Sequence, residues 1–410
     1  MADMGHKLPC PPMTLEVALP IDPQAPLNLH PLPARPGVFA LENDTGATIT
    51  LAVTANLRRL VKTRLTPQTE TRKQTRNIDY RSLTRSVRAV TVGSSFEADW
   101  AYLQLARQRL PHTYRSLLDR WRGWFIHCNP QTQFPRFTKT DNPAPAGDAA
   151  PQDARYFGPF PDKHAAQRCI DTLHTAFDLC RHYHILVDAP NASACAYKEM
   201  GRCPAPCDGS IPMEQYRRMI AQAIDFLTHS SSARRHSLDA QMRQASAVTP
   251  SGQPKDMHRR LDAANTLAST PFRFVDRLDC FRFLAVLPSE HQGYARLVII
   301  LCGWIEPVAD LPLDASGRVL DDLLADLNRR IGEETGNLSE EGIQNIGLVC
   351  RYLFRPKKDK TAPQLLRCQT GIDRPTLTAA LKRLARRPSP THDPSRESPG
   401  ITDAVLDGGA

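Results

Sequence analysis

No stretch of this chain is apolar for long enough to cross a membrane. The longest apolar run, Leu297–Leu301, is strand-sized, against the roughly 20 residues a spanning helix needs. The first residues lack a basic stretch followed by an apolar core, so no signal peptide is expected. Aromatic residues are few, at 7%, and acidic residues are outnumbered, 43 against 52 lysines and arginines. The net charge of +9 says nothing about fold but favours an anionic partner such as nucleic acid. Without leader or membrane span, the expected location is the cytoplasm, where thiols stay reduced. The 11 cysteines therefore do not read as a disulfide framework.

What is present suggests several units. A chain of 410 residues has room for two or three domains at roughly 100–200 residues each. Its 35 prolines cluster at 1–36, 142–151 and 387–399, stretches that cannot build a packed core. The expected class is α+β. A disordered tail over 1–33 precedes a small antiparallel sheet with flanking helices over 34–141. A linker at 142–151 leads to a mostly helical, cysteine-rich region over 152–230. A helical hairpin-like segment over 231–270, a mixed α/β part of unassigned role over 271–386 and a tail over 387–410 complete the chain.

Local patterns place the elements. Val38–Leu41 and the β-branched Thr48–Val53 read as strands around the turn residues Asn43, Asp44 and Gly46. Thr54 is the expected cap of a helix carrying Asn56 to Val61. Ser86–Gly93 alternates as a strand, and Ser94 or Ser95 caps a helix that Pro111 stops. Helices are expected over Lys163–Asp178 and Pro212–His229, where Tyr216, Met219, Ile220, Ala223 and Leu227 share one face. Helical periodicity also marks Leu238–Ala247, Asp256–Ala268 and Val319–Ile331. Phe281–Leu287 and Arg296–Cys302 are strand-like, and 343–386 reads as helical.

Four cysteines stand apart from the scattered ones. Cys180, Cys195, Cys203 and Cys207 are separated by 14, 7 and 3 residues. Pro204 and Pro206 block helix between the last pair and hold that loop open. Arg202 and Lys198 are placed to favour thiolates. Four thiolates suit tetrahedral zinc or an iron–sulfur cluster. Unrelated buried thiols are the plain alternative. His182 and His184 are spare ligands, more simply surface residues.

The surrounding residues carry a resemblance. Tyr156-Phe157-Gly158-Pro159-Phe160, then Ala194-Cys195-Ala196-Tyr197-Lys198-Glu199-Met200-Gly201-Arg202-Cys203-Pro204-Ala205-Pro206-Cys207, then Glu214-Gln215-Tyr216-Arg217 closely resemble the cysteine-rich region of the UvrC/Cho family. That family contains the nuclease subunit of the bacterial excinuclease. The resemblance implies a [4Fe–4S] cluster on Cys180, Cys195, Cys203 and Cys207, with zinc as the alternative, although the first gap is longer than the family's. It implies a preceding GIY-YIG nuclease domain, to which Pro36-Gly37-Val38-Phe39 and Asn56-Leu57-Arg58-Arg59 are similar. Gln241-Met242-Arg243-Gln244-Ala245-Ser246 resembles the start of the hairpin that binds UvrB, so a UvrB-like repair partner is implied beside DNA. The resemblance covers about residues 34–270. Nothing beyond matches the family's ribonuclease-H-type or helix–hairpin–helix domains.

By the same resemblance the nuclease chemistry is degraded. The first motif tyrosine falls on Phe39. The second motif falls on Thr50-Leu51-Ala52, with Val53 at the lysine. The catalytic arginine falls on Leu60, and the metal-binding glutamate falls near Gln104. Phenylalanine exchanges no proton, leucine cannot hold phosphate, and glutamine is a weak ligand for a hard cation. Mg²⁺ or Mn²⁺ is implied only if the nuclease is active, with Glu97 or Asp99 as a displaced carboxylate. Arg58, Arg59, Lys62 and Arg64, with Arg72, Lys73 and Arg76 behind them, are the expected phosphate contacts. Gln364–Arg387 reads as two helices about Gly371-Ile372, a plain pair or a helix–turn–helix. The expected function is DNA repair by a UvrC-like protein with a silent nuclease. A single-incision endonuclease with relocated residues and a zinc-bound DNA-binding protein are the alternatives.

Overall fold

The computed structural model describes residues 13–66, 78–143, 155–228, 254–267, 272–333, 338–354 and 362–387. The class is α+β, and every strand pairing described is antiparallel. The chain forms two compact units. One comprises 1–121, 282–336 and 352–410, and the other 122–281 and 337–351.

In the first unit, strands β1 (Val17–Pro20), β2 (Gly37–Glu42), β3 (Thr48–Thr54) and β4 (Ser86–Thr91) make a sheet ordered β1-β4-β2-β3. Gly37 is required here, because a Cβ on it would lie 2.3 Å from the carbonyl oxygen of Val90 on the neighbouring strand. One face of the sheet carries Phe39, Leu41, Ala52, Val87 and Ala89 and packs with Leu57, Val61 and Leu65 of helix α1 (Leu57–Leu65). Asn56 is its cap and accepts from the Arg59 amide, so the cap lies two residues after Thr54. Helix α2 (Tyr80–Leu83) follows. Helix α3 (Ser95–Arg109), capped by Ser94 as expected, is buried nearly all round from Phe96 to Ala106, which fits a helix apolar on every side.

The tail expected over 1–33 is corrected by the segment from residue 13 onward. β1 pairs with β4 from Val17↔Ala89 to Pro20↔Ser86, and Leu15, Leu19, Ile21, Leu29 and Leu32 are buried. Five prolines dilute residues 13–33, but five spaced aliphatic residues are enough to dock the segment.

The same unit holds a second sheet. Strands β9 (Arg282–Pro288), β10 (Tyr294–Leu301), β11 (Trp304–Pro312) and β12 (Gln364–Arg367) are ordered β11-β10-β9-β12. Its core takes in Leu320, Leu324, Leu327 and Ile331 of Gly317–Gly332 and Leu377, Ala380, Leu381 and Leu384 of Arg374–Ala385. The helical reading of 343–386 is therefore corrected in its middle. Residues 340–353 are helical, but Gln364–Arg367 is a strand paired with β9. This also removes the helix–turn–helix, since the element before Gly371 is extended. Four residues are too few to separate a two-residue period from a helical one.

In the second unit, β5 (Trp124–Cys128), β6 (Thr138–Thr140), β7 (Arg155–Phe160) and β8 (Asp276–Arg277) form a sheet ordered β6-β5-β7-β8. It packs with helix α4 (Lys163–Ala176), capped by Asp162. Short helices α5 (Tyr183–Leu186) and α6 (Ala196–Glu199) follow, then α7 (Met213–Thr228) and α8 (Pro254–Leu267). Their core joins Phe157, Phe160, Ile170 and Leu173 to Tyr216, Ile220 and Leu227. The hairpin-like stretch Gln241–Ser246, the helix expected over Leu238–Ala247, most of the linker and the tail beyond 387 lie outside the described residues.

Candidate metal centre

The cysteine loop is held by its ends and by turns. Beyond α4 the backbone turns left-handed at Asp178 (φ 48°), and its carboxylate receives Arg259 and Arg260 of α8. Cys180 follows. Cys195 stands at the start of α6, Gly201 is left-handed at φ 65°, and Ala205 is left-handed at φ 55° between the two prolines. A turn over Pro206–Asp208 then presents Cys207, whose carbonyl accepts from the Ala192 amide at 3.0 Å. Non-glycine residues rarely adopt positive φ. Ala205 does so here with Cys203 and Cys207 on either side.

All four thiols are free, and Cys180, Cys203 and Cys207 are buried while Cys195 is half-buried. Cys180 and Cys203 act as a pair. The Cys180 thiol donates to the His182 carbonyl at 3.6 Å, and its interaction with the neighbouring Cys203 thiol brings Cys203 down to about 7 and pushes Cys180 upward. Burial works against the Cys203 anion; the Ala205 backbone and the Arg181 guanidinium favour it. The Cys207 thiol is raised, first by burial, then by the charges of Cys203, Asp208 and Cys195. The four sulfurs are thus one electrostatic neighbourhood.

Two basic residues expected to favour thiolates behave differently. Lys198 is ion-paired with Asp208, which with Ser210 holds Asp208 down at about 2. Its charge is spent on a neighbour. Arg202 is exposed. Arg181, which the spacing argument passed over, acts on Cys203 and lies over the Tyr197 ring at 5.3 Å. His182 and His184 meet edge to face, ring centroids 5.6 Å apart.

Among the described residues, no three His, Cys, Asp or Glu side chains stand close enough to hold a single metal ion. Two ligands of one tetrahedral zinc, each about 2.3 Å from the metal, lie about 4 Å apart. A cluster binds each thiolate at a different iron, so its ligands stand further apart. The donor set, four reduced thiols with Cys203 brought down to about 7, has the chemistry that either group requires.

Tyr216 of α7 was placed by periodicity on an apolar face. It is 1% exposed, and its phenolic oxygen accepts from the Cys180 amide at 3.3 Å. Burial pushes this phenol up, and the Cys180 and Cys203 charges add to the shift. Helical spacing alone gives no sign of it, since a tyrosine at a core position is ordinarily packing.

Residues 124–226 match the family described as UvrC/Cho excinuclease, middle domain. The span runs from the first residue of β5 into α7 and contains all four cysteines. Over this span the chain is similar to the UvrC/Cho family. UvrABC system protein C of Trichlorobacter lovleyi is 28% identical over 200 residues, covering 49% of this chain and 32% of that protein. The protein of the same name from Hyphomonas neptunium is 30% identical over 224 residues, 53% of this chain and 34% of its own. The match to that from Clostridium acetobutylicum is longer, 24% over 283 residues, or 68% and 44%. This chain therefore spans about a third to under half of these UvrC relatives. No solved structure matches it.

The positions compared with a UvrC-type nuclease lie in the first unit. Phe39 is fully buried, and Leu60 packs against the same core. Thr50 is buried beside that face with no hydrogen-bond partner for its hydroxyl, and the Gln104 side-chain nitrogen on α3 is likewise buried and unmatched. Neither candidate carboxylate is open. Glu97 accepts from the Gly93 amide at 3.0 Å, the Ser94 hydroxyl at 3.1 Å and Arg296 at 2.9 Å. Burial raises its carboxyl, and Arg296 opposes the rise. Asp99 accepts from the Tyr352 hydroxyl at 2.5 Å.

The basic residues of α1 divide. Arg58 donates to the carbonyls of Leu32 at 2.8 Å and His30 at 3.0 Å. Arg64 lies over the Tyr80 ring at 5.7 Å. Arg59 and Lys62 are exposed. Arg72, Lys73 and Arg76 lie outside the described residues.

Proposed function

We propose that this chain acts on DNA in nucleotide excision repair, with a [4Fe–4S] cluster on Cys180, Cys195, Cys203 and Cys207 and a GIY-YIG-like site that no longer cuts. The observation that carries this reading is a contrast within one chain. The cysteine loop keeps four free thiols in one electrostatic neighbourhood, whereas buried Phe39, Thr50 and Gln104 and half-buried Leu60 supply no acid, base or cation.

The residues assign the parts. Cys203 is the ligand nearest its anionic form, and Cys180 gives up its proton as a cluster forms, because metal binding requires deprotonated ligands. Arg181 offsets negative charge at Cys203. Cys195, the most exposed of the four, leaves one edge of the site toward solvent. When bound, a cluster supplies one-electron redox chemistry and cross-links the loop. The resemblance of the cysteine loop to the UvrC/Cho region favours a cluster over zinc.

Hydrolysis of a phosphodiester by this fold type would need a divalent ion to stabilise developing charge and a group to activate water. Thr50 and Gln104 are weak ligands, and Glu97 and Asp99 already have partners. The proposal extends to a UvrB-type partner, in keeping with the UvrABC name of the relatives.

The test is analysis of protein purified without oxygen, with incision assayed in parallel. Expected are iron and acid-labile sulfide near four each per chain, a brown colour that bleaches on reduction, and no incision of damaged duplex with Mg²⁺ or Mn²⁺. Colourless protein with one zinc would overturn the cluster. Incision abolished by Glu97→Gln or Gln104→Ala would overturn the silent site.

A further inference from the structure

The phenol of Tyr216 makes one hydrogen bond as acceptor, from the Cys180 amide at 3.3 Å. That bond leaves its own proton for another acceptor. The ring is 1% exposed, within a core that includes Cys180, Cys203 and Phe226, so water is not freely available to take it. A buried donor without an acceptor is costly, and the phenol sits against the backbone of Cys180 with Cys203 in the same core.

We propose that Tyr216 is a positioning residue for the metal centre: its oxygen holds the Cys180 backbone, and its proton serves the negative charge that develops on the Cys180 side of the bound cluster. This rests on the cluster reading above. α7 supplies the rigidity. Ile220, Ala223 and Leu227 on the same face are buried, so the phenol is fixed before any metal arrives. A donor to a cluster sulfur stabilises the reduced, more negative state more than the oxidised one. Tyr216 should therefore raise the reduction potential of the centre as well as orient one ligand.

The test uses the full chain, loaded with iron and sulfide without oxygen, and titrates its visible absorption against dithionite with mediator dyes. Tyr216→Phe keeps the ring and removes the hydroxyl. The expected result is near-normal secondary structure and one-electron reduction about tenfold less favourable, about 59 mV more negative. A folded Tyr216→Phe chain that retains less iron also supports the proposal, because Cys180 has then lost its anchor. Replacing Tyr216 with 3-fluorotyrosine, a more acidic phenol, should move the potential the other way and remains informative if the phenylalanine variant does not fold. Tyr183→Phe, a second aromatic near the loop, should leave the potential unchanged. Loaded Tyr216→Phe and fluorotyrosine chains with wild-type iron and potential would overturn the proposal. Wild-type protein without iron would instead overturn the cluster reading itself.

Discussion

At the scale of single residues, the cysteines separate by surroundings more than by burial. Cys203 and Cys302 are both buried, but Cys203 has the Cys180 thiol and the Arg181 charge acting on it. Cys302 sits at φ 49° and Gly303 at φ 83°, joining β10 to β11 in a two-residue turn that needs positive φ at both positions. Cys203→Ser is expected to remove most of the bound iron. Cys302→Ser should leave iron unchanged and cost about 1–3 kcal/mol of stability, because it buries a hydroxyl in place of a thiol; elemental analysis and urea titration of both variants check this. His174 gives a pH prediction. Burial lowers it from 6.5 to about 4, with Arg181 adding to the effect and Asp171 opposing it. Its folded value lies below its unfolded one, so the unfolded chain binds the extra proton between those values. Stability is therefore complete above pH 6.5 and declines as pH falls toward 4. In His174→Gln that part of the slope should vanish, which urea midpoints across the range would show.

At the scale of elements, charge in the sequence marked α1 as a phosphate-binding helix, and the structure divides its basic residues by role. Arg58 binds two carbonyls of the segment before β2. Arg58→Ala should loosen residues 13–33 and cost about 1–3 kcal/mol, read as faster proteolysis there. Arg59 and Lys62 are exposed, and under the proposed function they are the phosphate contacts of this helix. The double variant Arg59→Ala with Lys62→Ala should weaken binding on any sequence and reduce the salt slope by about 2 × 0.9; an unchanged slope would remove α1 from the interface. Elements with long periods were legible in the sequence: α3 from its Ser94 cap to Pro111, α4 from its apolar spacing, and the hairpin of β2 and β3 from its β-branched run and turn. Those missed were short or proline-rich. β1 has four residues in a segment whose prolines suggest a tail, and β12 has four residues beside a helix. Their structure comes from pairing with distant strands, which local pattern cannot express. The same limit hid Tyr216 and Arg181. Both meet the cysteines only because α7 and the turn after α4 fold back on the loop.

At the scale of the whole molecule, the likeness to the UvrC/Cho family lies in 124–226, while the first unit is assembled from segments before and after that span. The two units interleave in sequence, whereas the boundaries expected at 141, 230 and 270 run in linear order. Residues 282–336 do not form a separate C-terminal domain; Arg296 on β10 ties to Glu97 on α3, and Glu290 accepts from the Thr91 hydroxyl at 2.5 Å. The cores are distinct. Leu284, Leu297 and Leu327 belong to one in the first unit, and Phe157, Cys180 and Tyr216 to that of the second. A metal that binds only the folded loop stabilises the unit that contains it. Removing it should therefore act unequally. Chelation of the loaded protein is expected to speed amide hydrogen exchange across α7 and the loop from Cys180 to Cys207, while β2, β9 and β10 keep their protection. The second sheet has an aliphatic core of its own and needs no ligand to hold it. If β9 and β10 lost protection along with the cysteine loop, the two units would be one cooperative structure, and the metal would be a requirement for the whole fold.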